Sequence, residues 1–510
     1  MGKPTGFLEI PREENPFRAW DERIGDFDDL HTPLSDAARR DQAARCMNCG
    51  VPYCQSGYGC PLHNLIPEWN DLIYRGAVRE AFERLIKTAP FPEFTGHVCP
   101  ALCEKACMLA PTDGGAANRD TELYLIETAY KNGWMKPRLP LRRTGKRVAI
   151  VGAGPSGLAA ADKLNRLGHF IDVYDRADRP GGLLIYGIPN MKLPKEIVAR
   201  RIRLMEEEGV HFHMSASVSP EALTGYDAVL LCCGARRPRA LNVEGETAKN
   251  VLFAVDYLTE ATRALLERRE SQLSAAGKHV VIIGGGDTGN DCAGTAIRQK
   301  CASIVQLELM SAPPIDRLPN NPWPEWPRTL RTDYGLTEAI ARQGADPRLY
   351  CTTVKRVIPN ESGAVKALEI VNVRWGARGF ELLPDTARVI PCGMALIAAG
   401  FTGCENATAE TFHLTLTKRG AVETDGTHHI ADNLFAAGDM RTGQSLVVRA
   451  ISDALAAADE IHAFLSAKSS PRTAPGALPP FRARRAHKYA PPFRHNPEER
   501  GAFRIACREL

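Results

Sequence analysis

Seven of the chain's 15 cysteines fall between residues 46 and 107. Cys46, Cys49, Cys54 and Cys60 follow a C-x2-C-x4-C-x5-C spacing, and Cys99, Cys103 and Cys107 follow C-x3-C-x3-C. Thiols gathered like this suit three kinds of chemistry. Structural zinc takes four ligands in two close pairs. Cys46 and Cys49 make one such pair, and no clean second pair follows. A redox disulfide takes C-x-x-C near a flavin, and the glycine-rich zones downstream contain none. The adjacent Cys232 and Cys233, inside LLCCGA, read as buried core. Iron–sulfur clusters take several thiolates from closely spaced loops. Seven cysteines leave two four-ligand clusters one ligand short.

Two glycine triplets supply the second chemistry. In VAIVGAGPSGLAAADKL, Gly152, Gly154 and Gly157 follow an apolar strand and open a helix. The first glycine permits the turn, the second lets backbone approach a pyrophosphate, and the third lets helix and strand pack closely. The pyrophosphate then meets the free N–H groups of a helix N-terminus. HFIDVYD ends in Asp175, 23 residues after Gly152, placed to accept from ribose hydroxyls. HVVIIGGGDTGNDC repeats the arrangement with Gly284, Gly286 and Gly289, with Asp287 and Thr288 between them. Its acid is Glu308, 24 residues after Gly284. A glutamate there suits the free 2′-hydroxyl of NADH and repels the 2′-phosphate of NADPH. Arg317 and Arg328 lie farther on and remain available to a phosphate. Between the triplets, Gly182 and Leu183 in RPGGLLIYG resemble the flavin pattern of two-dinucleotide reductases. LFAAGDM, with Gly438 and Asp439, resembles their second flavin motif. There the carboxylate bonds the ribityl chain, and the helix start through Ser445, Leu446 and Val447 points N–H groups at the flavin ring. A flavin beside thiolate clusters favours iron–sulfur over zinc or disulfide chemistry, and it needs no acid–base triad.

The elements that must position these groups fall into zones. At 510 residues the chain exceeds a single core, and about 150 residues per domain suggests about three domains. Residues 1–143 read as helical and loop-rich, with helical spacing over 65–86 and 121–135. Prolines and LRRTGKR then form a linker. The strand-like runs RVAIV and HVVII each begin a nucleotide-binding unit. The boundaries expected are 144–255 for the first part of an FAD domain, 256–390 for an NAD(P)H domain and 391–466 for the second part of the FAD domain. Residues 467–510 are rich in Pro, Arg and Ala and read as a flexible tail. A net charge of +4 gives no case for nucleic acid. No run approaches the about 18 apolar residues of a membrane span. The first residues carry no secretory pattern, so cytoplasm, with reduced thiols, is the expected location.

Taken together, RCMNCGVPYCQSGYGCPLHNLIPEWNDLIYRG, FPEFTGHVCPALCEKAC, VGAGPSGLAAA, GGLLIYGIPNMKLPK, IIGGGDTGNDC, NPWPEWPR and AAGDMRTGQSLVVRAI resemble the small (beta) subunit of glutamate synthase, from about residue 5 to 465. The resemblance implies an α/β fold with two Rossmann-like domains. The FAD domain is discontinuous, with the NAD(P)H domain inserted in it, and an α-helical iron–sulfur domain precedes both. It implies FAD, NADH or NADPH, and two [4Fe–4S] clusters. One cluster belongs on Cys46, Cys49, Cys54 and Cys107. The other belongs on Cys60, Cys99 and Cys103 with a non-cysteine fourth ligand. Glu122, fifteen residues after Cys107, is the best match, although PTDGGAANRD departs from the family's usual pattern there. The implied activity is NAD(P)H oxidation at FAD, with electrons passed to a glutamate synthase large (alpha) subunit. That subunit makes L-glutamate from L-glutamine and 2-oxoglutarate. Electron input to another complex, of the dihydropyrimidine dehydrogenase or ferredoxin reductase kind, and a redox sensor without turnover are the alternatives.

Overall fold

The computed structural model describes residues 3–376 and 379–469. The stretch read as a flexible tail lies outside them, apart from its first residues, which complete the helix Val447–Ser469.

The N-terminal region is helical. The apolar pattern of 65–86 forms two helices, Ile66–Tyr74 and Val78–Leu85. The break falls at Gly76, whose φ of 79° is left-handed. The second expected helix runs Asn118–Lys131. Beyond the linker come β1 (Arg147–Val151), β2 (Phe170–Tyr174), β3 (Val210–His213) and β4 (Ala228–Leu231). Next are β5 (Val251–Phe253), β6 (His279–Ile283), β7 (Ser303–Leu307) and β8 (Arg348–Leu349). A hairpin region follows as β9 (Thr352–Pro359), β10 (Val365–Gly376) and β11 (Gly379–Pro391). The last strands are β12 (Met394–Ile397), β13 (His429–Ala431) and β14 (Leu434–Ala436).

The strands make three sheets, ordered β13-β14-β4-β1-β2-β3, β5-β12-β6-β7-β8 and β11-β10-β9. The second is wholly parallel and the first parallel except at β13. Parallel sheets covered on both faces need continuous apolar strands, and VAI of β1 and VVII of β6 are buried. The strand partners correct two expected boundaries. Val251–Phe253 and Met394–Ile397, expected in the flavin unit, both belong to the sheet built on β6, with β12 paired to β5 and β6. Short apolar runs such as VLF and MALI can pair as strands but do not name their partner, which only long-range hydrogen bonding selects.

The cysteine-bearing helices do not form a separate body. Trp69, Phe91 and Phe94 share one buried cluster with Ile150, Leu158 and Ile451 of the flavin-side unit. Within that interface Arg201 donates to the Glu93 carboxylate (3.0 Å), and both side chains are fully buried. Tyr130 Oη donates to the same carboxylate (3.2 Å). On the nicotinamide side, Glu338 accepts from Arg298 and from Arg23 of the N-terminal segment, each at 2.7 Å. Breaking a buried pair by removing one partner typically costs about 3–5 kcal/mol. Arg201→Leu, which strands the Glu93 carboxylate, is expected to destabilise the protein by that amount, measured as a fall in the urea unfolding midpoint.

Candidate functional site

Both glycine loops open on one cavity of about 1680 Å³, larger than the ~300–1,000 Å³ of a single small-molecule pocket. The loops repeat each other in detail. Gly152 (φ 109°) and Gly284 (φ 104°) are left-handed. A Cβ at either would strike a neighbouring strand's carbonyl oxygen, at Cys232 (2.3 Å) or Ala398 (2.5 Å). At Gly157 a Cβ would fall 1.9 Å from the Gly152 carbonyl oxygen, and at Gly289 2.9 Å from that of Gly284. Gly154 and Gly286 differ: a Cβ on either would meet no atom within 4 Å, and both line the cavity. The middle glycines thus leave open space where a pyrophosphate must approach, at the starts of the helices Pro155–Arg166 and Gly286–Arg298. This cradle fits two dinucleotides.

Asp175 follows β2 and lines the cavity. Its oxygens accept the Ala153 N–H (2.7 Å) and the Ala177 N–H (2.8 Å), which pins the glycine loop. Each carboxylate oxygen keeps further lone pairs for a ribose. Glu308 follows β7 and also lines the cavity; it accepts from Gln306 Nε2 at 2.6 Å. Burial raises its pKa, against the Gln306 hydrogen bond and the charge of Arg348. Gly285, outside the fingerprint, lets the Glu308 carboxylate lie against the loop: a Cβ on it would sit 2.0 Å from that carboxylate, which would have to swing aside. The GGG run was its sequence signal. Arg317 and Arg328 are absent from the cavity lining. Arg317 donates to the carbonyls of Asn321 (3.2 Å) and Glu325 (2.8 Å), so it is committed to its own loop.

On the flavin side, Gly182, Leu183, Asp439, Ser445 and Leu446 line the cavity, whereas Gly438 and Val447 do not. Gly182 approaches the glycine loop so closely that a Cβ would meet the Gly154 Cα at 2.8 Å. Asp439 accepts from Ser445 Oγ (2.6 Å), and burial raises its pKa. Cys232 and Cys233 are more than core: both line the cavity at the end of β4.

The cysteines lie in two groups, recognisable by which charges press on each thiol. Cys46 faces Cys107 and Cys49, and Cys54 faces Cys46, Cys107 and Cys49. Cys103 feels the charges of Glu104, Cys60, Cys99 and Glu122, and Cys99 those of Glu122 and Cys60. Glu122 is not the exposed helix-start residue that its position suggests. It is 8% exposed. Burial pushes its pKa up to about 8, opposed by the Thr95 hydroxyl that donates to it and reinforced by Glu93 and Glu104. Among the described residues, no three His, Cys, Asp or Glu side chains converge tightly enough to share one metal ion, as zinc requires.

Backbone strain accompanies both groups. Asn48, His63 and Ala101 have φ of 48°, 50° and 62°, a left-handed conformation costing about 1–2 kcal/mol per residue. The strained turns aim N–H groups at sulfur. The backbone N–H of Asn48 lowers the Cys46 thiol pKa, those of Ala101 and Leu102 lower that of Cys99, and those of Asn64, Leu62 and His63 lower that of Cys60. Burial pushes the Cys46 and Cys60 thiols up to about 11 and Cys99 to about 12, and these N–H groups oppose it. Iron–sulfur clusters are held by Cys thiolates, and the donor set fits one in each group.

The pyridine nucleotide-disulphide oxidoreductase family matches residues 146–454. The dihydropyrimidine dehydrogenase domain II, 4Fe-4S cluster family matches residues 23–134. The glutamate synthase [NADPH] small chain of Bacillus subtilis is 44% identical over 92% of this chain and 99% of its own length. The chain belongs to the glutamate synthase small-chain family. It is accordingly an NAD(P)H-dependent oxidoreductase. The Mycobacterium tuberculosis small chain is 38% identical over 92% of this chain and 97% of its own. Glutamate synthase [NADH] of Saccharomyces cerevisiae is 40% identical over 91% of this chain, which spans only 22% of that protein. Among solved structures, FprA of Mycobacterium tuberculosis in complex with NADPH shares the fold, with a TM-score of 0.51, 17% identity, and coverage of 63% of this chain and 85% of that one. Among the described residues no helix is long and apolar enough to cross a membrane.

The glycine geometry separates two effects. Gly154→Ala is expected to lower flavin content per chain while leaving the unfolding midpoint of the flavin-free protein unchanged. Gly157→Ala is expected to lower both. Flavin absorbance and thermal melts of the two variants check this.

Proposed function

We propose that the chain is the electron-input subunit of a glutamate synthase. It oxidises NAD(P)H at FAD and supplies electrons, through two [4Fe–4S] clusters, to a large (alpha) subunit that makes L-glutamate from L-glutamine and 2-oxoglutarate. The observation that carries the reading is one cavity shared by two dinucleotide cradles, in a body whose core also holds two cysteine groups. Bound flavin takes a hydride from nicotinamide and gives electrons up singly.

The first cradle, with Gly152, Gly154, Gly157, Asp175, Gly182 and Leu183, holds the FAD nucleotide. Asp439 and the turn through Ser445 and Leu446 orient its flavin end. The second, with Gly284, Gly286, Gly289 and Glu308, holds the nicotinamide dinucleotide, with Asp287 and Thr288 at the start of its helix. Cys46, Cys49, Cys54 and Cys107 hold one cluster, and Cys60, Cys99, Cys103 and Glu122 hold the other. Cys49 is exposed, and the exposed apolar residues Val51, Tyr58 and Met108 belong to the same loops, which suits a face covered by the large subunit. The working compartment is the cytoplasm, where thiols stay reduced. Glu308 with no phosphate-binding role for Arg317 favours NADH over NADPH. The domain model named for dihydropyrimidine dehydrogenase matches residues 23–134, whereas the Bacillus subtilis small chain matches 92% of the chain, so glutamate synthase is the stronger reading.

The flavin-loaded chain alone is expected to reduce an artificial dye with NAD(P)H, and absence of turnover would sink the electron-input role. In the same assay kcat/KM is expected to favour NADH. A preference for NADPH of more than about tenfold, or ~1.4 kcal/mol, would refute the role given to Glu308. Glu122→Ala is expected to change the electron paramagnetic resonance signal of one cluster and spare the other. An unchanged pair of signals would remove Glu122 as a ligand.

A further inference from the structure

The segment from Asn321 to Arg328 follows Glu308 on the nicotinamide side, yet it lines no part of the cavity. It is instead built around its own polar core. Asn321 is 3% exposed. Its Oδ1 accepts the Arg328 N–H (2.8 Å), and its Nδ2 donates to the Trp326 carbonyl and the Glu325 carboxylate (both 3.1 Å). With Arg317 bonding the carbonyls of Asn321 and Glu325, the loop is cross-linked at both ends. A loop so constrained presents Trp323 in a fixed place.

That place is the first cysteine group. The Trp323 indole Nε1–H donates to the Cys107 carbonyl at 3.1 Å. The same ring meets Tyr53 edge-on, with centroids 4.8 Å apart, and Tyr53 immediately precedes Cys54. One side chain thus touches the backbone at Cys107 and the turn at Cys54, two segments far apart in sequence that must hold a common cluster. The Cys107 carbonyl also accepts the Ala110 N–H (2.9 Å), so the indole occupies its second lone pair and fixes the plane of that peptide. The orientation matters because the Cys107 thiol hangs from the same residue as that carbonyl. The second cysteine group is braced differently, by Ser452 Oγ donating to the Pro61 carbonyl (3.0 Å) from the helix Val447–Ser469.

We propose that Trp323, supplied by the nicotinamide-binding unit, is a positioning residue for the cluster on Cys46, Cys49, Cys54 and Cys107. It clamps the Cys107 backbone against Tyr53. The proposal rests on the two-cluster reading above. It gives the NPWPEWPR segment a role at the cluster, 216 residues away in sequence from the carbonyl it binds, and none at the nucleotide.

The test uses the full-length chain, reconstituted without oxygen, with iron release to a chelator and redox titration followed by electron paramagnetic resonance. Outer-sphere partners of metal ligands typically contribute about 10–100-fold to metal affinity. In Trp323→Ala, half of the iron is expected to leave on the order of 10–100-fold faster, with the other half at the wild-type rate. The midpoint potential of one cluster shifts, that of the other stays, and flavin content is unchanged. Trp323→Phe keeps a ring against Tyr53 and loses the donor; the same half of the iron is expected to leave at an intermediate rate. Wild-type release in both halves of Trp323→Ala, or equal acceleration of both, overturns the proposal. If Trp323→Ala does not load, wild-type behaviour of Trp323→Phe overturns it. Wild-type protein carrying well under about eight iron and eight sulfide per chain overturns the two-cluster reading itself, a result separate from any effect of the substitutions.

Discussion

The cysteine-bearing helices and the flavin-side sheet are built on one apolar core. Trp69, Phe91 and Phe94 from the first pack with Ile150, Leu158 and Ile451 from the second. Domains joined by small polar interfaces move relative to each other by default. A continuous close-packed core does not permit that, because interiors pack as densely as organic crystals and transmit strain rather than absorb it. The position of the cysteine groups relative to the cavity is therefore a property of the core. The Glu93–Arg201 pair lies at full burial inside this junction. Buried pairs add little net stability but penalise any arrangement that separates them, so here the pair acts on geometry.

Two carboxylates that the core excludes from water are compensated locally. Glu93 takes bonds from Arg201 and Tyr130, and Glu338 from Arg23 and Arg298. The cysteine loops show the opposite economy. Asn48, His63 and Ala101 hold left-handed backbone, and the thiols are buried where their charged form is disfavoured. Both costs become intelligible if the thiols serve as thiolate ligands, since the strained turns direct N–H groups at the sulfurs. Strain of this kind persists only where surrounding structure over-determines it.

Much of this was legible in the residues. The two glycine triplets, each between an apolar strand and a helix, specify their turns through steric facts that hold at the level of a single loop. The structure repeats them nearly atom for atom at Gly152 and Gly284. The acids at Asp175 and Glu308 follow from strand length. Other features were beyond reach for a physical reason. Gly76 reads as a tolerable helix residue until its left-handed φ breaks the pattern. VLF and MALI pair across more than 140 residues, from Val251 to Ala395, and such pairing is not a local property. Arg317 read as a possible phosphate ligand, because nothing local says that Asn321 and Glu325 will consume its donors.

The sequence by itself determined the chemistry available: seven clustered thiols, two dinucleotide turns, an acid after each second strand and a family likeness along most of the chain. These depend on residue type and short spacing, which no packing can alter. Tertiary structure alone decided which thiols face one another, that Glu122 is buried among them, and that Trp323 of the nicotinamide side reaches the backbone of Cys107. Those relations join residues remote in sequence. They exist only once hydrophobic burial has brought the helices, sheets and loops to fixed places.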